Sequence, residues 1–499
     1  MPGMPDMEER PSSGVNALLK LYPPAKDPRT TSLGTPTGNR SGSLSGPVIR
    51  AVRPLFLLWR ALTWPFRASC RCLRRRRLWK GFLVFALLVI LLFTPRSTHV
   101  LSPVDYAVRG YEYNLVGWEV SNFLDKWVHR VRELIPWVGS SEQEKREDLD
   151  RYIELNEEIT VASDELRRAT AEAESDDDEL ALLQDRVDEL VSERRGLRND
   201  VEEFLESAID AVLREMGIGK LGPLTWPPVD FRLDSTPRVL ITSPRDRIQR
   251  LESVLIDPGV TLAERGKIEE KFYEGSPDLS VIVLGTGGVA TFPTVIPDDR
   301  DLLSTLDVAA HEWLHAYLIF RPLGRAYWDS EDLTTLNETL ANLFGEEVGR
   351  AAYERVTGET LPPLEPFIPP EPPDPDGEED TEDFTFRAFM RETRLRTDDL
   401  LADGDIDGAE TYMEQRRVDL QEHGIFIRKI NQAYFAFNGS YGDNPASVSP
   451  IGAQLQEFRT YVENAGDLVK VVQGADSYED FLERLDRQRS AHGVRTGAE

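Results

Sequence analysis

Two histidines one helical turn apart, with a glutamate directly after the first, stand in Ala309-Ala310-His311-Glu312-Trp313-Leu314-His315-Ala316-Tyr317. Residues four apart on a helix share a face, so His311 and His315 can each aim a ring nitrogen at one ion. Only six histidines occur in 499 residues, so the pairing is not a by-product of a histidine-rich composition. Asp298 or Asp299 is placed to cap the helix, whose apolar face runs through Leu302, Leu303, Leu306, Ala309 and Ala310. The plain alternative is a buried helix whose histidines pair with backbone or carboxylates.

A second helical pattern follows, Leu336-Asn337-Glu338-Thr339-Leu340-Ala341-Asn342-Leu343-Phe344-Gly345, with Leu336, Leu340, Leu343 and Phe344 marking its buried side. Glu338 lies 23 positions after His315, enough chain to bring this helix back antiparallel to the first. Other carboxylates compete for a third-ligand role: Glu331 and Asp332 before it, Glu346 and Glu347 after it. Glu338 is preferred because it lies within the apolar-periodic helix with the small Ala341 nearby.

Together the two segments, His311 to Gly345, resemble the gluzincin class of zinc peptidases, in which His-Glu-x-x-His is followed some 20 residues later by Asn-Glu-x-x-Ala or a close variant. The resemblance implies that His311, His315 and Glu338 ligate zinc, leaving a fourth tetrahedral position for water, and that Glu312 is the general base. Glu312 is rotated about 100° around the helix from His311, so it faces the water rather than the ion. Some gluzincins carry an aspartate four residues after the third ligand to orient a histidine. Here Asn342 stands there, and its amide oxygen can accept the same N–H bond. Gluzincins often supply a late Tyr or His to the developing oxyanion, which makes Tyr434, Tyr441 and His423 candidates. The apolar stretch Ile425–Tyr441, expected as a core-entering helix, is similar to a late helix of uncharacterised, membrane-associated bacterial zinc-peptidase-like proteins.

Charge is distributed unevenly. Residues 1–80 hold 15 Lys/Arg and 4 Asp/Glu, net +11; against −29 for the whole chain, the other 419 residues carry −40. Such an acidic body does not bind nucleic acid or anionic lipid by simple electrostatics. Both cysteines, Cys70 and Cys72, lie in the basic segment, so the acidic part forms neither a disulfide nor a cysteine metal site.

Residues 1–78 read as a disordered basic cytoplasmic tail, aromatic and basic at its end. The apolar run centred on residues 81–93 predicts a transmembrane helix over 79–95, followed by a juxtamembrane segment at 96–140. From Tyr152 apolar residues recur at alternating three- and four-residue spacing through Leu155, Ile159, Ala162 and Leu166, then on to Leu190, Val201 and Ala208. This predicts a coiled coil or helical hairpin over 141–217, with Ser175-Asp176-Asp177-Asp178 as polar layer or turn. Strands are predicted at 238–242, 279–284 and 289–296, the last an edge strand because of Pro293. Residues 218–360 then form the zincin-like core, 361–385 a proline-rich, acidic linker, and 386–490 a C-terminal helical lobe. Asp403 to Glu414 has the spacing of a calcium loop, but Glu410 occupies an ordinarily apolar position and a helix-turn-helix corner is expected.

The sequence thus predicts a mainly α protein with a small α+β zincin-like core, an N-terminal transmembrane helix and a coiled coil or hairpin. Its expected function is that of a zinc-dependent peptidase in the cell membrane, single-pass, with the N-terminus cytoplasmic and the catalytic domain extracytoplasmic. It would act on peptide or protein substrates, bind no nucleic acid, and have a coiled coil available for self-association. The rival reading is a noncatalytic membrane-tethered scaffold with a structural metal site.

Overall fold

The computed structural model describes residues 102–133, 140–171, 177–364 and 384–493. In chain order the elements are α1 (Pro103–Val108), α2 (Leu115–Glu133), α3 (Glu142–Ala171), α4 (Asp177–Met216), β1 (Lys220–Leu221), β2 (Leu224–Thr225), β3 (Phe231–Leu233), β4 (Arg238–Pro244), β5 (Ser253–Ile256), α5 (Leu262–Gly275), β6 (Leu279–Gly285), β7 (Thr294–Ile296), α6 (Leu302–Leu318), α7 (Pro322–Arg325), α8 (Glu331–Thr357), α9 (Phe386–Ala402), α10 (Ile406–Glu422), α11 (Gln432–Asn438), α12 (Ile451–Arg459), α13 (Ala465–Val472) and α14 (Tyr478–Ala491).

The largest core joins α4, α6, α8 and α12–α14. Antiparallel β4 is flanked by β5 and β6. Period-two alternation divides their side chains: Val239, Ile241 and Ile282 pack on Met390, Met413, Leu420 and Phe435. Leu240, Val281 and Val283 face Ile268, Phe272 and Val104 on the other side. Helices therefore cover both faces of this sheet. β3 pairs in parallel with β7 in a separate two-stranded sheet.

Helices α3 and α4 fold back on each other as an antiparallel hairpin, burying Leu155, Ile159 and Leu166 against Val187 and Leu190. Bonds from Arg151 to Glu193 (2.9 Å) and from Arg186 to Glu158 (3.2 Å) fix the antiparallel register. Buried cations bind this hairpin to its surroundings. Lys126 of α2 lies against Glu202, Glu206 and Asp230, and Arg232 of β3 against Glu202 and Asp125.

Several expectations are corrected. Among the described residues no helix is long and apolar enough to cross a membrane. The long helices, α3 with 30 residues and α4 with 40, are richly charged, while the apolar α6 has only 17. Residues 79–95 lie outside the described residues, as do Cys70, Cys72 and most of the linker. The transmembrane element of the expected fold class is therefore not supported, nor is the cell-membrane, single-pass placement built on it. The architecture is mainly helical with few strands. Neither Asp298 nor Asp299 caps α6; Asp301 does, accepting from Ser304 N, while Asp298 is taken by Arg194. The apolar stretch 425–441 forms a helix only over Gln432–Asn438. Asn431 begins it there by accepting from Tyr434 N, and its own amide donates to Val281 O on β6 (3.0 Å). Segment 289–296 forms a strand only over its last three residues. The acidic stretch after Ala402 is a helix corner: Gly404 turns with φ +80° and Asp405 caps α10. Glu410 is committed to Arg245 and Glu414 to Arg417.

Candidate metal centre

Helix α6 divides its side chains between the core and the cluster. Leu306, Ala310, Leu314 and Leu318 enter the core, while His311 and His315 point toward α8. The two helices meet backbone against side chain. A Cβ on Gly349 would lie 2.7 Å from Asp307 Cα, and one on Gly345 2.6 Å from Asp307 Oδ1 and 3.1 Å from His311 Cβ. These glycines thus permit the approach that brings Glu338 to the histidines. The antiparallel return also lays Asn337 and Glu338 beside His315.

In the cluster, His311 Nε2 and His315 Nε2 are 3.0 Å apart, and Glu338 Oε2 is 3.7 Å and 3.6 Å from them. Ligand atoms at zinc bond lengths of about 2.0–2.1 Å stand roughly 3.3 Å apart at the corners of a tetrahedron, so these separations suit one ion among them. Two imidazole nitrogens and one carboxylate oxygen are also a donor set suited to zinc. Asn337 Oδ1 lies 2.9 Å from His315 Nδ1. An amide oxygen only accepts, so Nδ1 carries a proton and Nε2 is the ring nitrogen turned toward the cluster. Tyr327 donates its hydroxyl to Glu338 Oε1, leaving Oε2 toward the histidines.

Burial and charge act jointly here. Against burial, which favours the neutral acid, His315 and His311 hold the Glu338 carboxyl well below its ordinary range. Burial likewise opposes charge on His315, but Glu338 outweighs it and raises His315 to about 9. Glu312, 7% exposed, is pushed upward by burial, with the Glu338 charge adding to the shift. It sits against the backbone of Gly288, where a Cβ would come within 2.7 Å of its Oε1.

The remaining sequence candidates separate. Tyr441 belongs to a loop docked on α8: Gly442 N donates to Thr339 Oγ1 (2.8 Å), and Asp443 accepts from the Asn342 amide at 2.9 and 3.0 Å. Burial, then the charges of Glu338 and Glu312, keep its phenol protonated far above the ordinary range. Tyr434 instead lies in the core beneath β4 and β6. His423 is exposed at the end of α10, stacked on Phe384 with ring centroids 3.8 Å apart. Asn342 is not the histidine's acceptor; its amide nitrogen serves Asp443. Of the competing ligands, Glu331 and Asp332 are exposed in the first turn of α8, Glu346 is exposed, and Glu347 binds Arg459.

Sequence reasoning missed Tyr327, Gly288 and Asp443, which reach the site from separate loops and belong to no local pattern. Asn337 stands directly before Glu338 in the sequence, but the acceptor role it takes was expected of Asn342. Comparison with protein-family models, with curated proteins and with solved structures gives no match.

Proposed function

We propose that the cluster binds zinc and that the protein is a zinc-dependent peptidase of gluzincin type. The observation carrying this reading is the convergence of His311, His315 and Glu338, from two antiparallel helices, beside a buried Glu312 that no ligand role requires. Zinc, when bound, supplies Lewis acidity that polarises a carbonyl and acidifies water.

The chain's own groups do the rest. Asn337 and Tyr327 fix the lone pairs that face the ion. Glu312, its basicity raised by burial, accepts the proton of the attacking water and delivers it to the leaving amine. Tyr441 remains protonated, so its hydroxyl is a donor for the carbonyl oxygen as negative charge develops there. Tyr327 is the poorer donor because its hydrogen bond is spent on Glu338.

A purified preparation loaded with zinc is expected to hydrolyse peptides and to lose that activity to chelator. Glu312→Gln is expected to retain zinc while losing hydrolysis. Activity unchanged in Glu312→Gln would remove the general-base assignment, and with it the peptidase reading.

A further inference from the structure

A continuous rim of aromatic rings runs from one site tyrosine to the other, with a cation at its middle. Tyr327 meets Trp328 edge-on at 4.6 Å between centroids, and Phe437 meets Tyr441 at 6.0 Å. Between these pairs stands Arg250, its guanidinium carbon 5.4 Å from the Trp328 ring and 5.5 Å from the Phe437 ring. Arg250 Nε donates to Ser253 Oγ at 2.7 Å, which fixes the plane of the fork. Among the described residues its two Nη groups have no hydrogen-bond acceptor, and no carboxylate lies within ion-pair distance. Its loop neighbours differ: Arg245 makes two 2.7 Å bonds to Glu410, and Arg247 pairs with Asp246 at 3.0 Å. In a chain with 87 acids to 58 bases, an arginine held by rings and left without an acid is a fork reserved for something else.

We infer that Arg250 is an anion subsite of the metal centre, receiving a carboxylate of the bound peptide. The inference rests on the peptidase reading and names its substrate class. Position supports it: both Tyr327 and Tyr441 feel the Arg250 charge, and both also feel Glu338 and Glu312. Trp328 is 71% exposed, so the rim is open to a ligand. A planar guanidinium with two free N–H edges matches a carboxylate in bidentate fashion. The carboxylate would belong to a residue near the bond cut, because Arg250 shares its rim with both site tyrosines. It can come from a free C-terminus or from an Asp or Glu side chain.

The test uses zinc-loaded Glu312→Gln protein, so that binding is read without turnover, and three probes measured by calorimetry. These are acetyl-Ala-Ala-Phe-Leu-Ala with a free C-terminus, the same peptide amidated, and an amidated version ending in Glu. At least one acidic probe is expected to bind about tenfold or more tightly than the neutral amide. Whichever acidic probe is preferred identifies the source of the carboxylate. Adding Arg250→Gln should bring the acidic probes down to the amide's affinity, and Arg250→Lys should restore part of the difference, with zinc content unchanged. Equal affinity for all three probes while Arg250 is intact overturns the inference, and that comparison needs no variant of Arg250. Should the otherwise wild-type protein cleave no peptide while the acidic preference persists, the peptidase reading fails and the anion subsite stands.

Discussion

At the scale of single residues, the centre assigns distinct tasks to groups of similar type. Two glutamates lie within one buried space, yet Glu338 is held ionised by the histidines while Glu312 is driven upward by burial. Divergence of this kind is what the proposed ligand and base roles require. Two tyrosines are likewise distinguished by their partners, Tyr327 being bound to Glu338 and Tyr441 not. Tyr441→Phe is therefore expected to lower kcat by roughly 10²–10³-fold with little change in KM or zinc content, the loss typical of one oxyanion donor; steady-state kinetics beside metal analysis checks this. His315 is protonated near neutrality without metal, so zinc binding at pH 7 is expected to release about one proton. Calorimetry in buffers of differing ionisation enthalpy reads that number directly. The convergence of His311, His315 and Glu338 beside Glu312 was legible because helical periodicity is local. Tyr327 and Asp443 were not, because only the folded chain brings them to α8.

Elements place these residues by close approach rather than by bulk. Gly345 and Gly349 stand one turn apart on α8 and leave room for the backbone of α6 at Asp307. Gly349→Ala puts a methyl carbon where the nearest atoms are main-chain, so the helices must part. It is expected to cost about 1–3 kcal/mol of stability and to weaken zinc binding as Glu338 recedes from the histidines; denaturant melts and zinc titration of the variant measure both. In the sequence the two glycines look like ordinary helix weakeners, and only the partner helix explains them. The same limit applies to strands. β4 and β6 were readable from their alternating apolar residues, whereas β3 and β5 are too short to give a period. The apolar run 425–441 suggested one long helix, but the Asn431 cap delays its start, and a run of apolar residues alone does not mark where helix begins.

Over the whole molecule, ion pairs join parts that the sequence separates widely. Glu269 of α5 accepts from Arg428 at 2.6 and 3.0 Å, from Lys429 at 2.5 Å and from Val283 N at 2.9 Å, tying α5 to β6 and to the approach to α11. Burial alone would raise its pKa, but Arg428 and Lys429 win and depress it. A depressed folded-state pKa contributes stability that is present above the unfolded value near about 4.3 and lost as pH falls through the folded one. Glu269→Gln is therefore expected to flatten the acid limb of the stability–pH curve below about pH 4.3 while lowering stability at pH 7, as read by melting across pH. Composition announced an acidic body and apolar periodicity its helices, but the apolar run at 79–95 led the reading toward a membrane helix that finds no counterpart among the described residues. The account as a whole turns on three ligands from α6 and α8 sharing one ion. Elemental analysis of purified protein, wild type beside Glu338→Ala, tests it most directly: it predicts one zinc per chain, lost or bound far more weakly in the variant. Equal stoichiometry and affinity in the two proteins would contradict it.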